Sequence, residues 1–548
     1  MSSIFGILNI GKLALSAEQK ALSVTSQNIA NVNTPGYARQ EAVFETTVPL
    51  DGAPGQVGTG VRIGEVRRMI DLFIESQVTA GASNLGRLEV DQRTLSRIEA
   101  LFSDAEGTGI GKTLSEFFAA LQDLANHPQG AAERTALLEQ SKTLAARFVS
   151  IDTEMRKIQK DLDGEIKGVI GDVNDLATRI ADLNGEIARA ELSGQKANDL
   201  RDERGRLLND LSGKIEIQSF ENDRGEVSVF IAGGKPLVES NNASLLRAVP
   251  NGDNNGFSGV VFDSGGSTVD ITASLAGGRL KGLVDLRDNT IPGYINRLDQ
   301  LAAGMVNEVN RQHRVGFGLD GSTGRDFFSP LAPTVLGQSA NTGVSTVTAA
   351  VNDPSLLTFD SYRLTFAGGN YTVQNLRTGA SATGVYADPT TVLFEGLQVN
   401  ITGAPAAGDR FDLSAHQGTA GSMGVALTDP NRVAASSSSA GVPGNNGNAL
   451  LLAQLQEKGV TGFSGATVQE FYSRFVGEVG VRSQSAQRSL SAEKVIQEQL
   501  SNRREEVSGV SLDEEMANLI KFQRAFQAAA RLITTADELF QTLLGMKR

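Results

Sequence analysis

Two heptad stripes, one at each end of the chain, limit the fold more than any other feature. Leu8, Leu15, Leu22 and Ile29 fall seven residues apart near the start, and Leu512, Leu519, Phe526, Ile533 and Phe540 do so near the end. A strict seven-residue period keeps an apolar seam on one side of a helix only if that helix supercoils against a partner. The spacing therefore predicts two terminal helices that pair with each other or with other copies. Everything between them becomes an excursion. An ordinary intradomain core is the competing reading of any apolar stripe. Five repeats without a slip at a chain end favour coiled-coil packing used in assembly.

A chain of 548 residues is too long for one core, so several domains are expected. Charged residues make up 21% and the net charge is −13. That balance argues against a nucleic-acid backbone or an anionic membrane as the main partner. The absence of cysteine excludes disulfides, thiolate nucleophiles and cysteine-ligated zinc. No stretch approaches the ~20 apolar residues that span a bilayer. Met1 to Ile10 lacks the basic leader, apolar run and small-residue cleavage site of a signal peptide.

Residues 3–32 read as a helix, with Ala14, Ala17 and Ala21 beside the leucines. It should stop at Asn33-Thr34-Pro35-Gly36, because Pro35 forces Thr34 into extended geometry and Pro-Gly suits a type II turn. Residues 37–75 read as extended, with a strand around Val61, Ile63 and Val66, and helices resume after Phe73. Thr113 to Glu116 has capping-box form, and Asn126-His127-Pro128 marks a helix end. From Leu144 to Ile187 apolar residues recur in steps of three and four, a rod on the order of 65 Å long. Around Ile215 the period becomes two, helix returns over 276–313, and a second alternating stretch covers 345–415. From Thr467 the pattern is helical to the end, except near Ser508-Gly509, and Ser511 with Glu514 forms another capping box.

The expected fold class is α+β multi-domain. The terminal helices form a coiled-coil inner domain, residues 1–75 with 508–548. A middle domain rich in long helices takes residues 76–214 with 276–330 and 426–507. Two β-rich insertions follow, a segment at 215–275 and an outer domain at 331–425.

Little in the chain suggests chemistry. His127, His313 and His416 have no metal-ligand spacing and read as structural. Asn251 to Gly256 imitates the start of a calcium loop, but Phe262 stands where its glutamate belongs, so a turn is the better reading. No phosphate loop or nucleophile elbow is present. Glu514 and Glu515 suit the start of a helix through its dipole. No catalytic residue, cofactor or metal is expected.

The stretch Ser26 to Gln40, with Asn31, Asn33, Pro35, Gly36, Tyr37, Arg39 and Gln40, closely resembles the N-terminal signature of bacterial flagellar axial proteins of the rod, hook and hook-associated group. The Gly-Tyr-x-Arg-Gln ending is most similar to the hook–filament junction branch. Ser511 to Ile520 and Phe522 to Arg531 resemble its C-terminal counterpart. Asn198 to Arg204, Gly277 to Asp288 and Asn310 to His313 resemble the same branch. The resemblance implies an axial assembly of copies of the chain that joins hook to filament. Its neighbours are the hook protein below and other hook-associated proteins and the filament above. It further implies a secreted protein, exported unfolded without a cleaved leader, with a chaperone on its C-terminal region, and with no enzymatic activity, nucleic acid or membrane. The alternatives are another axial protein, such as flagellin or the third hook-associated protein, a surface adhesin using its β domains, or a secreted hydrolase on an axial scaffold.

Overall fold

The structure is a computed structural model that describes residues 2–51, 55–103, 109–192 and 194–546; the expected domain limits at 1 and 548 lie outside them. The chain opens with helix α1 (Ser2–Ala30), strands β1 (Gln40–Thr46) and β2 (Val61–Arg68), and helices α2 (Leu72–Leu101), α3 (Ile110–Asn126), α4 (Ala131–Glu191) and α5 (Asn198–Lys214). A β-rich unit follows: β3 (Ile217–Glu221), β4 (Val227–Ile231), β5 (Lys235–Glu239), β6 (Asn242–Ala243), β7 (Leu245–Pro250), β8 (Ser258–Asp263) and β9 (Thr268–Asp270). Helices α6 (Gly278–Asp285) and α7 (Ile291–Arg314) return to the helical body. The outer domain holds β10 (Thr334–Gly337), β11 (Thr346–Val351), β12 (Ser361–Ala367), β13 (Asn370–Asn375), β14 (Ser381–Val385), β15 (Thr390–Phe394), β16 (Leu397–Thr402) and β17 (Arg410–Ser414). The chain closes with α8 (Thr419–Ser422), α9 (Gly447–Gln454), α10 (Val468–Ser508) and α11 (Leu512–Gly545).

The two chain ends pair with each other, antiparallel. The Phe5 ring meets Phe540 at 5.5 Å, edge-on. A Cβ at Gly11 would stand 2.8 Å from Ile533 Cγ1. Asn28 Nδ2 lies 3.1 Å from Glu515 Oε2. Small residues, Ala17 and Ala21 on α1 with Ala529 and Ala536 on α11, are buried, which permits close approach of the backbones. The heptad residues Leu8, Leu15, Leu22, Ile29, Leu519, Phe526, Ile533 and Phe540 are half-buried. Leu512 departs from the stripe and stays 47% exposed, because at that level the seam is taken by the buried Glu515 carboxylate. On α1 the most deeply buried stripe is a different one, Ala17, Ala21, Val24 and Asn28. Both α11 and the β1–β2 hairpin cover α1, so residues in the angle between them lose most of their solvent.

A second antiparallel pair, α2 with α10, stands in series with the first. Arg504 Nε reaches Glu75 Oε1 at 2.6 Å near one end, and Phe102 packs on Phe475 at 4.9 Å near the other. Asp71 caps α2 by accepting the Phe73 amide at 2.8 Å. The expected boundary at 75/76 therefore cuts a helix, and the break lies just before Asp71.

Two expected caps are not made. Helix α3 begins at Ile110 behind Gly109, and Thr113 Oγ1 bonds back to the Ile110 carbonyl at 3.0 Å. Ile110 and Leu114, one turn apart, are both fully buried, so the core draws the helix back past Thr113. Ser511 makes no side-chain cap, and Glu514 is instead pulled to Arg39 at 3.1 Å. A charge-assisted bond outweighs a neutral cap. The capping box that does form, Thr467 with Glu470, opens α10.

Helix α4 is the rod of the helical body, 61 residues and about 90 Å long. Leu144, Phe148, Ile151, Met155, Ile158, Ile166, Val173, Ile180 and Ile187 are all buried along it. The helix expected over 276–313 is interrupted by a π turn at Leu286–Thr290. Residues Val227, Val229 and Ile231 of β4 alternate inward, as the period-two pattern requires. The outer domain is two antiparallel sheets, one ordered β10-β17-β12-β13-β14 and the other β11-β16-β15. Among the described residues one continuous apolar core runs from Val90 to Ala486 and includes both β units, but no residue of α1 or α11.

Candidate functional site

The turn after α1 is where three motif segments, far apart in sequence, meet. Asn28 sits on the buried face of α1 and uses all four of its bonds. Its Nδ2 donates to the Gln40 carbonyl at 2.9 Å and to Glu515 Oε2 at 3.1 Å. Its Oδ1 accepts from the Gln40 amide at 3.0 Å and the Tyr37 hydroxyl at 2.9 Å. Glu515 is 2% exposed. Arg39 Nε donates to it at 2.8 Å. A buried carboxylate needs such partners, since losing one leaves an uncompensated charge.

The backbone of the same segment is equally committed. The Arg39 amide donates to the Ser508 carbonyl at 2.8 Å, and the Met69 amide to the Arg39 carbonyl at 2.8 Å. Gly36 has φ 76°, a left-handed conformation, and a Cβ there would stand 2.5 Å from Arg206 Cγ. Asn31 caps the end of α1, donating to Gln27 O at 3.0 Å and accepting from Thr34 Oγ1 at 3.1 Å. Asn33 and Pro35 lie on the exposed side of the turn, where Pro35 offers its carbonyl to Arg206 at 3.2 Å.

The third segment is the start of α5, whose helical spacing sends its charges two ways. Asn198, Asp199 and Asp202 share one face. Gln40 Nε2 donates to Asp199 Oδ1 at 2.8 Å, the Ala38 amide to Asp202 Oδ2 at 3.0 Å, and Arg68 to Asp202 Oδ1 at 2.9 Å. Asn198 Nδ2 donates to the Val66 carbonyl at 2.9 Å. Arg201 and Arg204 occupy the other face. Arg201 clamps Glu191 at the end of α4 at 2.6 Å and Glu221 of β3 at 2.6 Å. Arg204 reaches Glu221 at 2.7 Å and Asn184 at 2.9 Å. Burial acts to raise Glu191, but the bonds from Arg201 and the Ala197 amide prevail and hold it at about 2. Burial pushes Asp202 up, partly offset by the Ala38 amide and Arg68. Burial also pushes the Tyr37 hydroxyl up, with Asp199, Asp202 and Glu515 adding to the effect.

The remaining motif residues are structural clamps. Arg287 is fully buried and bonds Asp163 Oδ1 at 2.6 Å and Asp288 Oδ1 at 2.6 Å. Asn310 Oδ1 accepts the Phe327 and Phe328 amides at 2.9 and 2.8 Å. His313 bridges the Arg325 carbonyl and the Ala434 amide at 2.7 and 2.9 Å. His416 bridges Ser414 Oγ at 3.0 Å and Asn296 Oδ1 at 2.6 Å. His127 is an exposed residue after α3. Among the described residues no group of three His, Asp or Glu is placed to hold a metal ion, and no helix is long and apolar enough to cross a membrane.

This arrangement couples the terminal helix pair to the helical body through directed polar bonds. Sequence reading found the turn motif but missed Asn28, Asp199, Asp202 and Glu515 as its partners. A signal existed for two of them. Asn28 and Glu515 are polar residues set at core spacing, one among Ala21, Val24 and Thr25, the other one turn before Leu519.

Both ends of the chain match rod-protein family models, the flagella basal body rod protein at residues 8–37 and the flagellar basal body rod FlgEFG protein C-terminal at 502–546. These ends, paired as one helical unit, define a flagellar axial protein. Between them, residues 95–328 match the flagellar hook-associated protein FlgK helical domain and residues 336–415 the flagellar hook-associated protein 1, D2-like domain. The chain is 30% identical to flagellar hook-associated protein 1 of Escherichia coli (strain K12), over 99% of this chain and 100% of the relative. It is 26% identical to that of Bacillus subtilis (strain 168), over 100% of this chain and 99% of the relative. The fold is similar to the flagellar hook junction protein FlgK from Burkholderia pseudomallei, with TM-score 0.69, 21% identity, and coverage of 79% of this chain and 100% of that one. The chain belongs to the flagellar hook-associated protein 1 family.

Proposed function

We propose that the chain is a structural subunit at the junction between hook and filament, assembled axially through its terminal helix pair, and that it is not an enzyme. The observation that carries this reading is the state of α1 and α11. They lie outside the continuous core and keep large apolar side chains exposed, among them Phe5, Met516, Ile520, Leu539 and Leu543. Such residues need further partners, and copies of the chain supply them without new chemistry. The heptad residues from Leu8 to Ile29 and from Leu519 to Phe540 are the assembly seam in this reading. The Asn31–Gln40 segment is the joint that passes load from the seam to the body. The hook protein lies below, and other hook-associated proteins and the filament above. The chain leaves the cell unfolded through the flagellar export channel, with a chaperone on its C-terminal region beforehand.

The test is the position of an epitope-tagged copy on isolated flagella. A single band between hook and filament is expected. Tag along the filament shaft, or on the cell surface, would overturn the reading.

A further inference from the structure

We propose that the loop at 251–257 is a clasp that fixes the angle of the outer β domain against the helical body. The loop carries the calcium-like sequence, which its neighbours put to another use. Asp253 Oδ1 accepts the Ser339 amide at 2.8 Å and Oδ2 accepts the Ser339 hydroxyl at 2.6 Å. Ser339 belongs to the outer domain, just beyond β10. One carboxylate thus takes two bonds from one residue of another domain.

Both sides of the contact are rigid. Within the loop, the Asp253 amide donates to Asn251 Oδ1 at 3.0 Å and the Gly256 amide to the Asn251 carbonyl at 2.9 Å. Asn254 Nδ2 donates to Asp288 Oδ1 at 3.0 Å. Asp288 is held by the buried Arg287, which in turn holds Asp163 on α4. On the far side, Asn341 exchanges bonds with the backbone of Arg410 at 2.8 Å in each direction. Little freedom remains to be lost when two such surfaces close, so the contact persists.

Position gives the clasp its effect. The outer domain is rooted where the chain leaves it. There Asp299 accepts the Gly418 and Ala420 amides at 2.8 and 2.9 Å, and His416 meets Asn296. Strand β10 starts at this root, Thr334 opposite Ser414, and runs outward to Gly337. Ser339 is therefore on the order of 15 Å from the root. Residues 354–359 add to this root, since Asn307 and Gln300 of α7 donate to the Pro354 and Phe359 carbonyls at 3.0 and 3.1 Å and Phe359 packs on Phe463. These contacts are all made to α7 and to the segment before α10, whereas the clasp ties the end of β10 to a loop of the other β unit. That separate attachment narrows the rocking that the root leaves.

The absence of cysteine makes the test direct. Lys160→Cys on α4 and Ser381→Cys on β14 carry nitroxide labels in the full chain, and pulsed spin resonance reads the distance between them. The parent should give one narrow distribution, and D253A a distribution at least twice as wide. A broad parent distribution, or an unchanged width in D253A, overturns the proposal. If D253A unfolds the outer domain, seen as lost amide protection in β12 and β17, S339A decides, since it removes only the hydroxyl. Broadening there supports the clasp, and an unchanged width overturns it.

Discussion

Helices α4 and α11 are both long and apolar on a repeating face, yet one is finished and the other is not. Along α4 the stripe from Leu144 to Ile187 is buried by α3, α5, α6, α7 and strands of the β unit. Along α11 the heptad residues are half-buried, only Glu515, Ala529 and Ala536 are buried, and Leu539 and Leu543 remain about half exposed. Burial contributes roughly 25 cal/mol per Å² of apolar surface, so α4 takes its stability from within the chain and α11 leaves much of its own to be gained outside it. A periodic stripe signals where apolar surface lies. It does not signal who covers it.

The contrast can be broken most sharply by hydrogen exchange on the isolated subunit. Amides of α1 and α11 should exchange about a thousandfold or more faster than those of α4, because local opening ranges from near zero to the full stability of the fold. Equal protection in a monodisperse monomer would remove the distinction.

Mutation sharpens it next. Arg287→Ala empties a fully buried site and leaves Asp163 with Lys167 at 2.8 Å and the Ser258 amide as its partners. It should destabilise the helical body by ~3 kcal/mol, the lower end for a broken buried pair, read by thermal unfolding. Leu519→Asp with Phe526→Asp should leave that transition in place while abolishing assembly in cells. Normal filaments on cells carrying the double variant would refute the seam.

A smaller effect concerns Glu515. Replacing it with Gln weakens its bonds to Arg39 and Asn28. A double-mutant cycle with Arg39→Ala, read from exchange of the first turns of α11, should give a coupling of ~1–3 kcal/mol. Zero coupling would mean that the joint does not transmit from body to seam.

The smallest effect is in pH. Burial raises Asp299 to about 6, against its bonds from Gly418 and Ala420. Burial lowers His416 to about 4. Between pH 4 and 6 the folded Asp299 binds more protons than the unfolded one, so its contribution rises as pH falls. Folded His416 binds fewer between 6.5 and 4, so its contribution falls over that window. The two oppose each other at the root of the outer domain. On going from pH 6 to 4.5, Asp299→Asn should lose unfolding free energy relative to the parent, and His416→Asn should gain it, by about 1–2 kcal/mol each, read from denaturant unfolding at the two pH values. Parallel changes in both variants would show that these groups are not the cause.

The pattern of what was legible in sequence follows the same division. Periodicity revealed α1, α4, α11 and both β units, because repeated burial leaves a repeated signature. It also suggested that the ends meet. It could not show that Asp202 lies against Ala38, or Glu515 against Asn28, because a directed polar bond between segments hundreds of residues apart has no period. The local rules for caps misplaced one helix start, because the core draws α3 back to Ile110. At Ser511 they placed the start of α11 but not its side-chain bond, because Glu514 is drawn to Arg39. Thr467 with Glu470 has no such competitor and caps α10.

The antiparallel meeting of α1 with α11 also dictates an order of events in time. Their contacts span almost the whole chain, as with Phe5 and Phe540, and contacts so remote in sequence form slowly. Each doubling of an open loop adds ~0.6 kcal/mol to its closure. The nested pair α2 and α10, once formed, brings Ser508 beside Arg39 and reduces that loop to a short turn. The body should therefore fold before the ends close, and in the proposed assembly a newly arrived subunit would order its most adhesive surfaces last, with its neighbours already beside it.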